Sequence, residues 1–258
     1  VLRMKVDVFT FYNEIELLDF RLNHLKGLVD HVVIVEGDRT YAGKQYTSQL
    51  IGRNLAEEYG YDITHIIVPL KEFPSSRWEN EALQRKIAGQ YARDTYPDAT
   101  IFFSCVDEIL DPAVYTEYDT PHTLSLQNFY YYFNGKDIGE KPDHPMPIAF
   151  PASALRDTDL HSLWESRHGF PTLFPAGWHF SYLGGVDRIK EKLEAYSHVE
   201  NDTPAIKDSL ADNIAAGRDI FSRPDHKFEY VKIDESFPQY LVDNQDKYKE
   251  LIHDSTLA

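Results

Sequence analysis

Two adjacent acids, Asp107 and Glu108, follow a short apolar run, Thr100–Ser104. Acids at the end of a buried strand have neither a helix face nor a solvent face to account for them. Their oxygens are what a hard divalent cation needs. They also suit an ordinary turn into Asp111-Pro112. Two other apolar runs end similarly, in Phe11-Tyr12-Asn13-Glu14 and in Glu36-Gly37-Asp38-Arg39. Of these acids, Asp38 reads equally well as a plain loop residue. Upstream of residue 100, Trp78, Asn80, Glu81, Gln84 and Arg85 fall at helical spacing. Asn80 and Gln84 are four apart, as are Glu81 and Arg85, so they form adjoining stripes of one helix. Either Asn80 and Arg85 reach the acidic centre or a ligand, or Glu81–Arg85 is an exposed pair contributing roughly 0.2–0.5 kcal/mol.

The second half adds Gly177-Trp178-His179-Phe180. A Trp face packs against the C–H groups of a sugar, the glycine allows close approach, and His179 suits a metal or a phosphate. The run Phe129–Phe133 offers more rings, or a core strand. His198 and Glu200, two apart in an extended segment, point the same way. One of them is a candidate general base, which must lie within hydrogen-bond reach of its proton; a surface pair after a helix is the alternative. Other chemistries lack their signatures. There is no Gly-x-Ser-x-Gly, phosphate-binding P-loop or Gly-x-Gly-x-x-Gly. Cys105, the single cysteine, makes a zinc-type cluster or an intrachain disulfide unavailable.

These residues need elements to place them. The first half alternates: strand Lys5–Phe11, helix Glu14–Lys26, strand His31–Glu36, helix Ser48–Tyr59, strand Ile63–Pro69, helix Trp78–Thr95 with Leu83, Ile87 and Tyr91 on one face, strand Thr100–Ser104. Four strands alternating with helices imply an α/β fold with a parallel sheet and helices on both faces. Ligands of such sheets bind beyond the carboxyl ends of the strands, where the acids lie. Later segments read as strand Thr123–Asn134, a loop over residues 136–147, strand Pro147–Ala152, weak helix Asp157–Glu165, a strand within Phe174–Leu183, and helices Val186–Ser197, Thr203–Ala216 and Phe237–Leu251. With 258 residues and no evident linker, one domain is expected over residues 1–258, divided into a ligand-binding half, 1–110, and a second half, 111–258.

The formal net charge of −16 argues against nucleic acid as partner. An anionic ligand would then need a metal or a few placed Arg and Lys residues. No apolar run reaches 18 residues, so no membrane span is expected. The expected location is cytoplasmic, with an anchor upstream of Val1 left open.

Phe9-Thr10-Phe11-Tyr12-Asn13-Glu14, followed by Leu17-Leu18 and Arg21-Leu22, resembles the opening of glycosyltransferase family 17. His31–Glu36 with Thr40 and Lys44 is similar to that family's second strand and loop. Trp78-Glu79-Asn80-Glu81, Gln84-Arg85 and Val106-Asp107-Glu108-Ile109 resemble its central signature. Gly177–Tyr182, Lys192, Ser197-His198, Glu200 and Phe237–Leu241 resemble its C-terminal half. The family includes the enzyme that adds the bisecting N-acetylglucosamine to N-glycans. The resemblance implies a GT-A type nucleotide-sugar-binding fold with a mostly parallel central sheet. It also implies inverting transfer from a nucleotide-sugar donor, UDP-N-acetylglucosamine in the best-known members, to a glycan acceptor. A divalent metal, Mn2+ or Mg2+, would sit on an Asp-x-Asp-like motif. This chain departs from that motif, with Cys105 where the first Asp would fall and Leu110 where Pro is frequent. The change implies weaker metal binding, water-mediated contacts, or a metal-independent relative.

On this resemblance Asp107, Glu108 and His179 are the expected metal ligands. Phe11 and Glu36 would cradle the nucleoside, Asn80 and Arg85 would orient the donor or brace Asp107, and Trp178 would line the donor site. Glu200 is the expected base, with Glu165 in reserve. A catalytically silent nucleotide-sugar or carbohydrate binder and a nucleotidyltransferase are the alternatives. The latter usually has a Gly-rich basic loop after strand one, where this chain has Tyr12-Asn13-Glu14.

Overall fold

The computed structural model describes residues 2–254. Its first half is a four-stranded parallel sheet of order β3-β2-β1-β4: β1 (Lys5–Phe11), β2 (His31–Gly37), β3 (Ile63–Val68) and β4 (Thr100–Cys105). β1, β2 and β4 are near-continuous apolar runs because both faces are covered, while β3 is the half-exposed edge strand. Alternate residues divide between two cores. Phe9, Phe11, Val32, Ile34 and Phe102 pack with Leu18, Leu22 and Leu25 of helix α1 (Ile15–Leu25). Val6, Val8, Val33, Val35, Ile101 and Phe103 pack on the other face, against Ala88 and Ala92 of helix α3 (Arg77–Thr95) and Leu160, Leu163 and Trp164 of α4 (Leu160–Glu165).

The expectation of a mostly parallel sheet is corrected beyond β4. The short strand β5 (Glu108–Leu110) is followed by β6 (His122–Tyr130), β7 (Gly135–Asp137) and β8 (Asp143–Pro151), and β8 lies antiparallel to both β4 and β6. Beyond it, β6 pairs parallel with β9 (Thr172–Leu173) and β10 (Gly177–Ser181), while β7 pairs antiparallel with β11 (Phe228–Tyr230). The physical reason is connectivity. A parallel neighbour needs a long crossover, and residues 131–142 between β6 and β8 contain only turns and β7.

Other boundaries move as well. Helix α2 is confined to Leu55–Tyr59, with turns and irregular chain over 48–54 where a longer helix is expected. The loop expected over 136–147 contains the start of β8. The final helix is two pieces, α7 (Gln239–Asp243) and a 3-10 stretch, Gln245–Leu251. In α3 the buried face is not that of Leu83, Ile87 and Tyr91, which are partly covered, but that of Asn80, Gln84, Arg85 and Ala88. The buried amides are satisfied by backbone and by the Tyr41 hydroxyl, which donates to Gln84 Oε1. Asn80 Nδ2 donates to Tyr41 O and Lys71 O, and Gln84 Nε2 donates to Val35 O at 2.8 Å. Helices α5 (Gly185–Ala195) and α6 (Pro204–Ala215) complete the second half over a third cluster containing Tyr130, Tyr131, Leu193 and Leu210. Among the described residues no helix is long and apolar enough to cross a membrane.

Candidate active site

The carboxyl ends of β1 and β4 open into a cavity of about 730 Å³. Its inner wall is the turn from Cys105 to Glu108, and that turn is gripped from behind by one side chain. Arg21 of α1, 1 % exposed, donates to Cys105 O and Glu108 O, both at 2.7 Å. Its other terminal nitrogen donates to Asp7 Oδ1 at 2.6 Å and Ser104 Oγ at 2.7 Å. Tyr115 donates to the second Asp7 oxygen at 2.9 Å. Burial works against the Arg21 charge, but Asp7 overrides it and holds the guanidinium above its ordinary pKa.

With its carbonyls held, the turn presents its side chains to the cavity. Asp107 Oδ2 accepts from Lys192 Nζ at 2.7 Å and from Ser181 Oγ at 3.3 Å, and lies 3.7 Å from His179 Nε2. Burial raises its carboxyl, but Lys192 prevails and holds it well below the usual carboxylate range. Glu108 accepts from Cys105 N at 2.6 Å and contacts His144 Nε2 at 2.7 Å. His144 stacks on His179, ring centroids 3.7 Å apart. His179 Nδ1 meets Asn128 Oδ1 at 2.7 Å; as an amide oxygen only accepts, Nδ1 carries the proton and Nε2 keeps its lone pair. One ligand atom each of Glu108, His144 and His179 lies within 4.8 Å of the others, a group able to hold a metal ion.

Of the three expected metal ligands, then, Glu108 and His179 join His144, whereas the Asp107 carboxylate is engaged by Lys192. His144 escapes sequence reading because it stands in a Pro- and charge-rich stretch. The one signal for it is the alternation His144, Met146, Ile148, Phe150 running into β8. Cys105 is neutral; burial and the neighbouring acids push its thiol well up.

The other expected residues separate into those that line the cavity and those that brace it. Phe11 lines it, as does Arg85, which pairs with Glu81 and lies over the Trp164 ring at 3.7 Å. Glu36, fully buried, lies outside the lining: it accepts from Ser48 and Tyr46 and meets His65 Nε2 at 2.7 Å, so it anchors the loop that carries Tyr46 to the cavity. Asn80 anchors the same loop through Tyr41. Trp178 points away, because alternation along β10 sends His179 inward. Its Nε1 donates to Ser236 O at 3.0 Å in the core. The close approach that its preceding glycine permits is between strands, since a Cβ on Gly177 (φ +144°) would meet Ile109 O at 2.1 Å. Glu200 sits at the rim, exposed, with Oε1 2.7 Å from Nδ1 of His198, which does line the cavity. Glu165 is exposed at the end of α4, outside the lining, while its neighbour Trp164 faces in.

Burial also makes histidines pH-sensitive: His24 and His179 are the most enclosed, and His31 and His161 are shifted the same way. Desolvation holds His24 and His179 below the ordinary 6.5. The unfolded chain therefore binds more protons just below that value, and stability rises with pH there. Their contribution is complete above 6.5 and is lost as pH falls below it. The depressed pKa values of Asp107 and Glu108 add a loss only at pH below about 4. We expect denaturant midpoints to fall from pH 7 to pH 5 at constant m-value; a flat profile would contradict neutral, buried His24 and His179.

An α/β sheet with a polar crevice at its parallel strand ends, acids and imidazoles inside, has its candidate ligand site where such sheets bind ligands. The chain belongs to glycosyltransferase family 17, whose model matches residues 2–256. No curated protein sequence matches. Solved structures give loose likenesses. A protein assigned as a glucose-1-phosphate thymidylyltransferase from Bacillus anthracis is 9% identical, covering 66% of this chain and 86% of its own, with a TM-score of 0.38. The inositol-1-phosphate CTP transferase from T. maritima is 10% identical, covering 85% and 99%, with a TM-score of 0.38. A glycosyltransferase involved in glycosylation of the major capsid of PBCV-1 is 12% identical, covering 64% and 66%, with a TM-score of 0.29.

Proposed function

We propose that the chain is an inverting glycosyltransferase that moves a sugar, N-acetylglucosamine by family resemblance, from a nucleotide-sugar donor to a glycan acceptor. The observation that carries this reading is the convergence of Asp107, Glu108, His144, His179 and Lys192 on one wall of the cavity. Phe11, Tyr12 and Tyr46 line the side nearest β1 and suit the nucleoside. Arg85 and Lys192 suit its phosphates. His198 is the base we favour, oriented by Glu200 as a carboxylate orients an imidazole in nucleophile-activating pairs. An inverting transfer needs one such base, placed opposite the leaving group.

Glu108, His144 and His179 would hold a divalent cation. Two imidazoles and one carboxylate favour Mn2+ over Mg2+, which prefers an all-oxygen octahedron. The Asn128 contact on the far nitrogen of His179 is the support that metal-bound histidines usually have. When bound, the ion would supply charge neutralisation of the donor's diphosphate.

A panel of nucleotide-sugars, assayed for nucleotide release with and without Mn2+, tests the assignment. Release from at least one donor is expected. A donor that raises thermal stability without turnover would point to a silent binder instead. A panel giving neither release nor stabilisation would refute the proposal.

A further inference from the structure

Lys192 places a fixed positive charge on the cavity wall. It lies in the third turn of α5, just after β10, and reaches back over the strand ends. Its ammonium is 2.7 Å from Asp107 Oδ2, 3.4 Å from Ser181 Oγ and 3.7 Å from Glu14 Oε1. Those three oxygens come from the turn after β4, the end of β10 and the start of α1. The Tyr182 ring lies 5.3 Å from the nitrogen. The side chain is 24 % exposed and lines the cavity.

The other cations of the cavity wall are engaged differently. Arg85 is held by Glu81 and Trp164, Arg223 by Asp219, and Arg39 by Glu72. Lys192 alone among them grips the acid of the strand-end turn. Cys105 fits the same arrangement. Its neutral thiol, within hydrogen-bond distance of Thr10 Oγ1, adds no negative charge beside Asp107, so the ammonium faces one carboxylate at close range and Glu14 at 3.7 Å.

We propose that Lys192 is the resident cation of the donor site, binding the diphosphate of the nucleotide-sugar and the nucleoside diphosphate as it departs. The proposal rests on the glycosyltransferase reading above. In the transfer, the bond from the anomeric carbon to the diphosphate oxygen breaks and its electron pair stays on that oxygen. The acceptor oxygen bonds to the carbon, and its proton goes to the base. The new charge on the diphosphate is what Lys192 meets, through preorganised donors that need no rearrangement. Donor affinity therefore survives removal of divalent metal.

The test is calorimetric titration of the whole chain with UDP, GDP and dTDP, in EDTA and in Mn2+. In EDTA, at least one nucleotide binds the wild type. Lys192→Met weakens that binding by about tenfold or more, a loss of 1.4 kcal/mol or more. Lys192→Arg stays within about threefold, and Lys207→Met, which removes the same charge outside the cavity, is unchanged. Thermal melts establish that each variant is folded, and the arginine variant keeps the test valid if the methionine variant melts early. Binding that requires Mn2+ in the wild type, or equal affinity of Lys192→Met and wild type in EDTA, overturns the proposal and leaves the glycosyltransferase reading standing. No binding of any nucleotide with or without Mn2+ removes that reading and the proposal together.

Discussion

Replacing Arg21 with methionine destabilises the protein by about 3–5 kcal/mol, the cost of leaving one member of a buried ion pair alone. Asp7 would remain fully buried beside Phe9 and Phe102 strand neighbours, with Tyr115 its one remaining side-chain donor. Ser104 Oγ and the carbonyls of Cys105 and Glu108 would lose their donor as well. Folded proteins are stable by only about 5–15 kcal/mol, so the variant should be marginal, and urea unfolding measures it directly. The double variant Arg21→Met with Asp7→Leu is expected to recover part of the loss, since it removes both charges. A loss below about 1 kcal/mol for Arg21→Met would mean that the turn does not depend on this residue.

The second large effect concerns the metal group. Saturating Mn2+ at a hundredfold excess over its Kd stabilises a single-site protein by about 2.7 kcal/mol. Changing His144 and His179 together to alanine should remove that gain, as read by thermal shift across a Mn2+ titration. Asn128→Ala should weaken Mn2+ binding by about 10- to 100-fold while leaving the ligands in place, because it frees the His179 ring from its orienting contact. If the double variant is stabilised by Mn2+ as strongly as the wild type, the ion binds elsewhere. The outcome also bears on Asp107. A site built on Glu108 and the two imidazoles survives while Asp107 stays paired with Lys192.

What the sequence made legible follows from burial. The strands β1, β2 and β4 are covered on both faces, so each is an apolar run with turn residues at its end, and the acids at their carboxyl ends stand out for that reason. The antiparallel half is harder. Strands of two or three residues, such as β5, β7, β9 and β11, are too short to show a period. The first residues of β8 are disguised by Pro145 and Pro147. Prolines survive there because residues 143–145 pair only with β6, while β4 pairs with β8 from Ile148 on. That overhang beyond β4 puts His144 beside Glu108, and no local pattern encodes it. Arg21 and Lys192 have the same character. Each is one cation on an amphipathic helix in the sequence, and each acquires meaning only when α1 and α5 fold back over the strand ends. Glu36, Asn80 and Trp178 are legible as unusual residues, yet their partners are Ser48, Tyr41 and Ser236, which only tertiary structure supplies.

Arg21 holds the turn by main-chain carbonyls rather than by the side chains at positions 105 and 108. That grip is therefore independent of the side chain at position 105. Glu108 likewise bonds the amide, not the side chain, of residue 105. Geometry and charge become separately heritable properties of the same four residues.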